Sequence, residues 1–322
     1  MVNSRSSKLL VLVLLGIFVA SMNVQAAKRV RAARAKQSDA EAEGGRGPGV
    51  AKPAPGFKDG ATSATKVTAP TDPVAMDVIK PFFGQKFEHG PATTPFIALS
   101  FDDGPSAKLT PQVLAILKKE GIKANFFMIG ENVKSYPEMA KQVAAAGMEI
   151  GCHTMTHPIL TRKSTEVVRQ EIGGSQAIIE QVTGKKPFLF RAPGGNLNAM
   201  IRQTCAEDGM VIAGWSVDPR DWAPHSTPDS VFNTTMREMH GGAVVCIHDI
   251  HGKTVEALPR IIAALKAKGY VFTTISHLIA EEAKYKAAAP AAGGLSAGGG
   301  DSGNADAPAQ PTAIPLDASG MK

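Results

Sequence analysis

The stretch FIALSFDDGP, residues 96–105, joins an apolar run to two carboxylates and a Gly-Pro turn. The apolar run at 96–101 is typical of a buried β-strand. Gly-Pro directly after the carboxylates forces a turn, and a helix-like run follows at 111–119. This stretch therefore predicts a strand that ends in an acidic turn and leads into a helix.

The same strand-then-helix unit recurs along the chain. The other strand-like runs are 124–129, 148–152, 188–191, 210–217, 243–247 and 270–273. The helix-like runs that follow them are 137–146, 164–182, 198–207, 228–240, 255–268 and 276–284. Seven such units predict an α/β fold with a parallel sheet covered by helices. Composition does not separate an open doubly wound sheet from a closed barrel, but both place working groups beyond the carboxyl ends of the strands.

The flanks of this region differ from it in composition. The chain has 322 residues, of which 43% are hydrophobic, and its Gly and Pro residues concentrate towards both ends. We expect a signal peptide at 1–26, an Ala/Gly/Pro/Lys-rich linker at 27–93 and a single folded domain at 94–285. Residues 78–87 of the linker are expected to pack onto the domain edge. A low-complexity, disordered tail is expected at 286–322.

The N-terminus has the order of a secretory signal. Arg5 and Lys8 precede an apolar run at 9–20, and small residues follow around Ala26 and Ala27. A membrane-spanning helix needs about 20 apolar residues, so removal after Ala26 is favoured over an uncleaved anchor. The sequence therefore predicts export, to the periplasm or to the extracellular space and cell wall.

The formal net charge of +6 is partly carried by a basic segment after the signal. That segment contains Lys28, Arg29, Arg31, Arg34 and Lys36. A solvated tether is favoured, with weak contact to anionic lipid or wall polymers as the alternative. Nucleic acid is disfavoured as a partner because export separates the chain from it and the centre has no basic patch alternating with aromatics. The oligomeric state stays open.

The three cysteines, Cys152, Cys205 and Cys246, lack CxxC spacing and are odd in number. Neither a disulfide framework nor a structural zinc knuckle is indicated. One pair could bridge in an oxidising compartment, but small buried apolar residues are favoured.

Two motifs at strand ends suggest metal chemistry. Asp102 and Asp103 are adjacent on a strand and point in opposite directions, so they can serve two roles, although Asp-Asp-Gly-Pro is also a common turn sequence. His153 and His157 are four positions apart after the third strand. Two histidines with one carboxylate and a position for water form a recurrent catalytic site that suits zinc, cobalt or iron.

Three more strands end in polar or aromatic residues. Arg191 precedes a turn whose backbone N–H groups are free to approach a ligand. An Asp in the stretch 215–222 could hold Arg191, and Trp222 could wall an apolar pocket. His248, with His251 three residues on, brings an imidazole suited to proton donation. Each is weak evidence alone, but core packing gives no reason for five strands to end this way. Together they describe metal-assisted hydrolysis by water.

The order and spacing of these motifs resemble the NodB-homology polysaccharide deacetylases, carbohydrate esterase family four. The resemblance covers about residues 94–280 and rests on SFDDGP, HTxxHP, RxPxG, DW and IHDIH. It implies a distorted, incomplete (β/α)7 TIM-like barrel. It also implies a divalent metal, zinc or else cobalt or another transition metal, and an N-acetylated glycan as substrate.

The resemblance assigns roles to the metal and base residues. Asp103, His153 and His157 would bind the metal, and Asp102 would be the general base that activates the attacking water.

It likewise assigns the acid and its neighbours. His248 would protonate the leaving amine, and Arg191 would orient the base with Asp221 behind it.

The resemblance places Pro193, Gly194, Trp222 and Ile247 against the substrate, with Trp222 lining the pocket for the acetyl methyl group. Two positions depart from the family pattern. Gly194 stands where the family usually has Tyr, which leaves the sugar-binding mode open. Cys246 stands where it usually has Leu, which leaves a roomier acetyl pocket or one filled from elsewhere.

Three other functions compete with N-deacetylation. An O-acetyl polysaccharide esterase would use the same groups. A hydrolase of small cyclic amides or ureides would use a similar barrel, but export argues against it. A non-catalytic glycan-binding relative would not need a complete acid and base. Among substrates, peptidoglycan N-acetylglucosamine ranks before chitin-like oligomers, and an exopolysaccharide or xylan acetyl ester comes third.

Overall fold

The computed structural model describes residues 67–70 and 72–288. The predicted signal peptide, most of the predicted linker and most of the predicted tail lie outside these residues. The strands are β1 Lys86–Phe87, β2 Phe96–Asp102, β3 Asn125–Met128, β4 Glu149–Cys152, β5 Leu189–Phe190, β6 Val211–Ala213, β7 Val244–His248 and β8 Val271–Thr273. The α-helices are α1 Met76–Ile79, α2 Thr110–Glu120, α3 Gly130–Ser135, α4 Pro137–Ala145, α5 Thr165–Thr183, α6 Ala199–Glu207, α7 Pro228–Glu238, α8 Gly252–Ala267 and α9 Ile275–Ala288.

The strands form one parallel sheet in the order β1-β6-β5-β4-β3-β2-β7, and β8 pairs with the N-terminal half of β2. The sheet curls because Val217, just after β6, forms a parallel bridge with Val245 of β7. The two sides of the sheet thus approach each other around a common interior. This incomplete barrel with surrounding helices confirms the predicted fold class.

Strand β1 was not predicted, and it lies in the segment expected to be linker. It pairs with β6 through Lys86 and Phe87, and both Phe87 and Ile79 of α1 are buried. Packed structure therefore begins before residue 94. A strand of two residues is too short to show a period of two, so the sequence pattern gave no sign of it.

Side chains alternate between two apolar clusters along each strand, as the pleat requires. Leu99 and Phe101 of β2 pack in the cluster that faces the helices, whereas Ala98 packs in the one inside the barrel. In β7, Ile247 belongs to the helix-facing cluster. Its neighbours Cys246 and His248 therefore point into the barrel.

Helix α5 has clear signals at both ends. The Ser164 side chain accepts the N–H of Val167 at the start, and Gly184 ends the helix with a left-handed φ of 71°. Such caps satisfy backbone groups that have no partner inside the helix. They fix the register of α5, which carries one of the residues that support the site.

The three cysteines are buried, as predicted, and Cys152 and Cys205 pack in the helix-facing apolar cluster. Cys246 is the exception, because it lies among polar groups inside the barrel. Across the part of the chain that the structure describes, no helix has both the length and the apolar character to span a membrane.

Candidate active site

The predicted base and acid lie side by side at the carboxyl end of the sheet. Asp102 ends β2 and His248 ends β7, and the two are register partners in the parallel ladder. Residues paired in this way point to the same face of a sheet. The fold therefore brings a carboxylate and an imidazole to one edge of the barrel interior.

Arg191 is fully buried and holds the Asp102 carboxylate. Its Nη1 donates to Asp102 Oδ1 at 2.7 Å and to Ser100 Oγ at 2.8 Å. Its Nε and Nη2 donate to the carbonyl oxygens of Ala213 and Gly214 at 3.1 and 3.0 Å. A guanidinium that donates to four acceptors is held rigidly, so it fixes the orientation of the Asp102 carboxylate.

The three predicted metal ligands converge on one point. Asp103 Oδ1 lies 3.3 Å from His157 Nε2 and 3.6 Å from His153 Nε2. Donors about 2.1 Å from a shared tetrahedral ion are separated by about 3.4 Å, so this set fits a divalent cation. These residues form a group that could hold a metal ion.

The environment of His153 favours metal binding. Its Nδ1 contacts the carbonyl oxygen of Arg191 at 2.8 Å, which leaves Nε2 directed at Asp103. Burial lowers the pKa of His153 to about 4, an effect that Asp102 and Asp103 only partly offset. The imidazole is therefore neutral near pH 7, which is the form that ligates metals.

The backbone around this group is strained. Asp103, Thr154 and His157 have φ values of 73°, 63° and 62°, in the left-handed region that side chains disfavour. Each such residue costs about 1–3 kcal/mol and persists only when its surroundings fix it. Asn132 donates to the Asp103 carbonyl oxygen at 2.6 Å, and the Thr154 hydroxyl accepts the His157 N–H at 2.9 Å.

Glu171 supports the histidine loop, and sequence reasoning missed it. Its Oε2 accepts the N–H groups of Met155 and Thr156 at 2.9 and 2.8 Å, and its Oε1 accepts the Thr156 hydroxyl at 2.6 Å. One signal could have revealed it, because Glu171 is a charged residue on the buried face of α5, beside Val168 and Ile172.

His248 is paired with Asp221. The ring Nδ1 lies 2.7 Å from Asp221 Oδ1, and the His248 backbone N–H donates to Oδ2 at 2.7 Å. Burial alone would lower the pKa of His248, but the Asp221 carboxylate outweighs it and raises the pKa to about 10. His248 is thus protonated near neutral pH.

This pairing corrects one expectation from the resemblance, which placed Asp221 behind Arg191. Asp221 instead contacts His248 and the Thr254 hydroxyl. The cause is the chain path, because the bridge between Val217 and Val245 carries the segment after β6 alongside β7.

Cys246 contacts the predicted base. It lies two residues before His248 on the same face of β7, and its Sγ is 3.4 Å from Asp102 Oδ2. The thiol is buried, and burial raises its pKa well above the usual value.

The residues expected against the substrate are spread out. Gly194 and Trp222 are exposed at the rim, whereas Pro193 is buried. Ile247 is 0% exposed and packs in the helix-facing cluster, so its side chain points away from the barrel interior where the other site residues lie. The period of two explains this, since His248 faces the barrel interior and its neighbour must face away.

His251 lies near the acid, with its ring centroid 5.6 Å from that of His248. Burial lowers the pKa of His251, so it is uncharged beside the protonated His248.

Comparison with known proteins identifies relatives of this chain. Residues 89–213 match the family model described as polysaccharide deacetylase. A peptidoglycan-N-acetylglucosamine deacetylase of Bacillus cereus is 39% identical over 194 residues, which cover 59% of this chain and 90% of that protein. A chitooligosaccharide deacetylase of Bradyrhizobium is 34% identical over 206 residues, covering 59% of this chain and 94% of that protein.

A solved structure shares the fold. The wild-type BA3943 protein of Bacillus anthracis, described as a pseudoenzyme of family CE4, is 30% identical with a TM-score of 0.59. The alignment covers 62% of this chain and 70% of that one. Taken with the sequence identity over nearly the whole length of the Bacillus cereus relative, these matches show that the chain belongs to the polysaccharide deacetylase family.

Proposed function

We propose that this protein is an exported, metal-dependent deacetylase that hydrolyses the N-acetyl group of a cell-wall glycan. One observation carries the proposal: the base Asp102 and the acid His248 are neighbours in the ladder, beside three convergent metal donors. A binding protein needs neither a charged acid nor a fixed base, so this combination supports catalysis over glycan binding alone.

The donor set favours zinc, with cobalt as an alternative. Two imidazoles and one carboxylate, supplied by His153, His157 and Asp103, form a recurrent zinc site. When bound there, the metal would polarise the acetyl carbonyl and make water more acidic.

The protein residues then handle the protons. Asp102 accepts a proton from the water that attacks the acetyl carbon, and Arg191 keeps Asp102 oriented. His248 donates its proton to the amine nitrogen as the carbon–nitrogen bond breaks. The products are acetate and the free amino sugar, and the proton held by Asp102 returns to the medium or to His248.

The charge state of His248 favours amide over ester substrates. An amine is a poor leaving group and needs a proton as it departs, whereas an alkoxide leaves more readily. Because Asp221 raises the pKa of His248 to about 10, the acid is charged and ready at neutral pH. This supports N-acetyl groups over the O-acetyl esters that remain the second candidate.

The relatives support the choice of polymer. One is named a peptidoglycan-N-acetylglucosamine deacetylase and another a chitooligosaccharide deacetylase. Peptidoglycan ranks first for this chain because the N-terminal residues predict export to the compartment where that polymer lies. Chitin-like oligomers rank second.

The proposed location is the periplasm or the cell wall. The basic segment from Lys28 to Lys36 is proposed to act as a solvated tether after the signal, with weak contact to membrane or wall as its alternative.

Acetate release tests the proposal. The mature protein is stripped of metal, reloaded with zinc or cobalt, and incubated with N-acetylglucosamine oligomers, purified peptidoglycan and an O-acetylated xylan. Metal-dependent acetate from either of the first two is the expected result. Acetate from xylan alone would identify an O-acetyl esterase, and none from any substrate by metal-loaded protein would contradict the deacetylase assignment.

A further inference from the structure

A second set of metal-ligating atoms lies next to the first. One oxygen of Asp102, the Cys246 thiol and one His248 ring nitrogen lie within 4.8 Å of one another. The sheet builds this cluster directly, since Ser100 and Asp102 of β2 pair with Cys246 and His248 of β7. Cys246 and His248 are two residues apart and share a face.

The atoms of this cluster that face outward are already committed. Asp102 Oδ1 accepts from Arg191 at 2.7 Å, and His248 Nδ1 contacts Asp221 at 2.7 Å. The Cys246 thiol donates to Asp102 Oδ2 at 3.4 Å, and Nε2 is the His248 ring nitrogen that Asp221 does not hold. A cation bound here would replace the thiol proton. Ligands whose far side is fixed by a second hydrogen bond are characteristic of metal sites.

The chemistry of the cluster differs from that of the Asp103–His153–His157 group. Thiolate is a soft ligand that selects zinc, cadmium and similar ions, whereas the first group offers only nitrogen and oxygen. We propose that Asp102, Cys246 and His248 form a second, inhibitory site for a thiophilic divalent cation. Binding requires the cation to displace two protons, one from the Cys246 thiol and one from the protonated His248 ring.

Occupation of this site would block turnover. The cation would take the oxygen of Asp102 that receives the proton from water and the nitrogen of His248 that donates to the amine. Inhibition rests on the proposed function, but metal binding at this site does not.

Cobalt titration of the metal-stripped protein tests the site directly. Cobalt bound to thiolate shows a near-ultraviolet charge-transfer band that cobalt bound only to nitrogen and oxygen lacks. We expect two equivalents of cobalt to bind, with the band growing during the second. Cys246→Ser should bind one equivalent without the band, and Cys205→Ser, which alters a buried thiol in α6, should keep it.

A second variant separates the two sites. His157→Ala weakens the first group and should leave the charge-transfer band intact. If Cys246→Ser does not fold, as judged by circular dichroism, Cys246→Ala replaces it. A wild-type titration that ends at one equivalent without the band overturns the proposal, as does a band that persists without the Cys246 sulfur.

Inhibition by cadmium is measured in parallel. For each variant, acetate release with excess Cd²⁺ is divided by release without it, so that changes in basal activity cancel. The ratio should be about 0.1 or lower, a loss of at least tenfold, for the wild type and for Cys205→Ser. It should stay near one for Cys246→Ala. An equal fall in all three would overturn the inhibitory role. If no variant released acetate, the cobalt band would still decide whether the site exists.

Discussion

Both oxygens of the Asp221 carboxylate are committed to His248, one to the ring Nδ1 and one to the backbone N–H, each at 2.7 Å. The carboxylate therefore sets both the orientation and the charge of the imidazole. Asp221 is fully buried, so water does not screen this pairing. The arrangement keeps Nε2 of His248 directed towards the interior of the barrel.

Asp221→Asn should cause His248, the proposed acid, to lose its proton at a lower pH than in the wild type. The wild-type pKa of His248 is raised to about 10, so the acid stays protonated until the pH approaches that value. Without the negative charge, burial dominates and lowers this pKa. The alkaline limb of the kcat profile should move to lower pH, with a loss of roughly 100-fold above neutral pH.

Asp218→Asn is the matched control for this shift. Asp218 lies in the same loop but accepts from the Arg220 backbone N–H. Its interaction with His248 is weaker than that of Asp221, so its replacement should move the alkaline limb far less than Asp221→Asn does. An unchanged limb in Asp221→Asn would show that His248 is not the acid.

Asp102→Asn should abolish turnover while the metal is kept. The amide preserves the shape of the side chain and an oxygen for Arg191, but it cannot accept a proton from water. A fall in kcat of about 10²–10⁴-fold is expected. Metal bound by the Asp103–His153–His157 group, measured by elemental analysis after loading with one equivalent of zinc and gel filtration, should equal that of the wild type, since Asp102 is outside that group.

His153→Ala provides the opposite pattern. It removes a ligand and should lose both the metal of the Asp103–His153–His157 group and acetate release. Full metal content in this variant would refute the ligand assignment, whatever its activity.

The sequence predicted the site well where it depends on strand ends. Parallel strands deliver their carboxyl ends to one edge, so apolar runs followed by Asp102, Arg191 and His248 were enough to bring those residues together. The curl of the sheet could be predicted only from the family resemblance, because composition does not distinguish open sheets from barrels.

Contacts made by loops were harder to predict. The pairing of Asp221 with His248 depends on the path after β6, and Glu171 reaches Met155 and Thr156 across 16 and 15 positions of sequence. Neither contact follows from the period of a helix or a strand, so no sequence pattern predicts it. Ile247 is a different case, because the period of two already excluded it from the face that carries His248.

Glu171→Gln should weaken metal binding without direct contact to the metal. Glutamine can keep its oxygen on the N–H groups of Met155 and Thr156, but its amide must donate to the Thr156 hydroxyl instead of accepting from it, and all three bonds lose their charge assistance. Supporting residues of this kind typically contribute 10- to 100-fold in metal affinity or activity. Zinc affinity measured by competition with a chelator should fall by that amount.

Glu180→Gln is the control for a charge change on the same helix, since Glu180 is exposed. It should bind zinc as the wild type does. Equal affinity in Glu171→Gln would mean that the histidine loop holds its strained backbone without this carboxylate.

Gly195→Ala should destabilise the rim through two separate effects. Gly195 has a φ of 70°, and an added Cβ would lie 2.8 Å from the Trp215 ring. The left-handed backbone costs about 1–2 kcal/mol for a residue with a side chain, and the displaced ring costs about 1–3 kcal/mol more. Gly184→Ala measures the backbone effect alone, because Gly184 has a φ of 71° and nothing within 4 Å of an added Cβ.

Urea unfolding of the metal-free proteins should therefore show a larger loss of unfolding free energy for Gly195→Ala than for Gly184→Ala. The Arg191 guanidinium carbon lies 5.6 Å from the centroid of the Trp215 ring. Displacing the ring should therefore disturb Arg191, so Gly195→Ala should lower kcat and Gly184→Ala should not. Equal losses of stability in the two variants would mean that the ring moves aside freely and that only backbone strain matters at this turn.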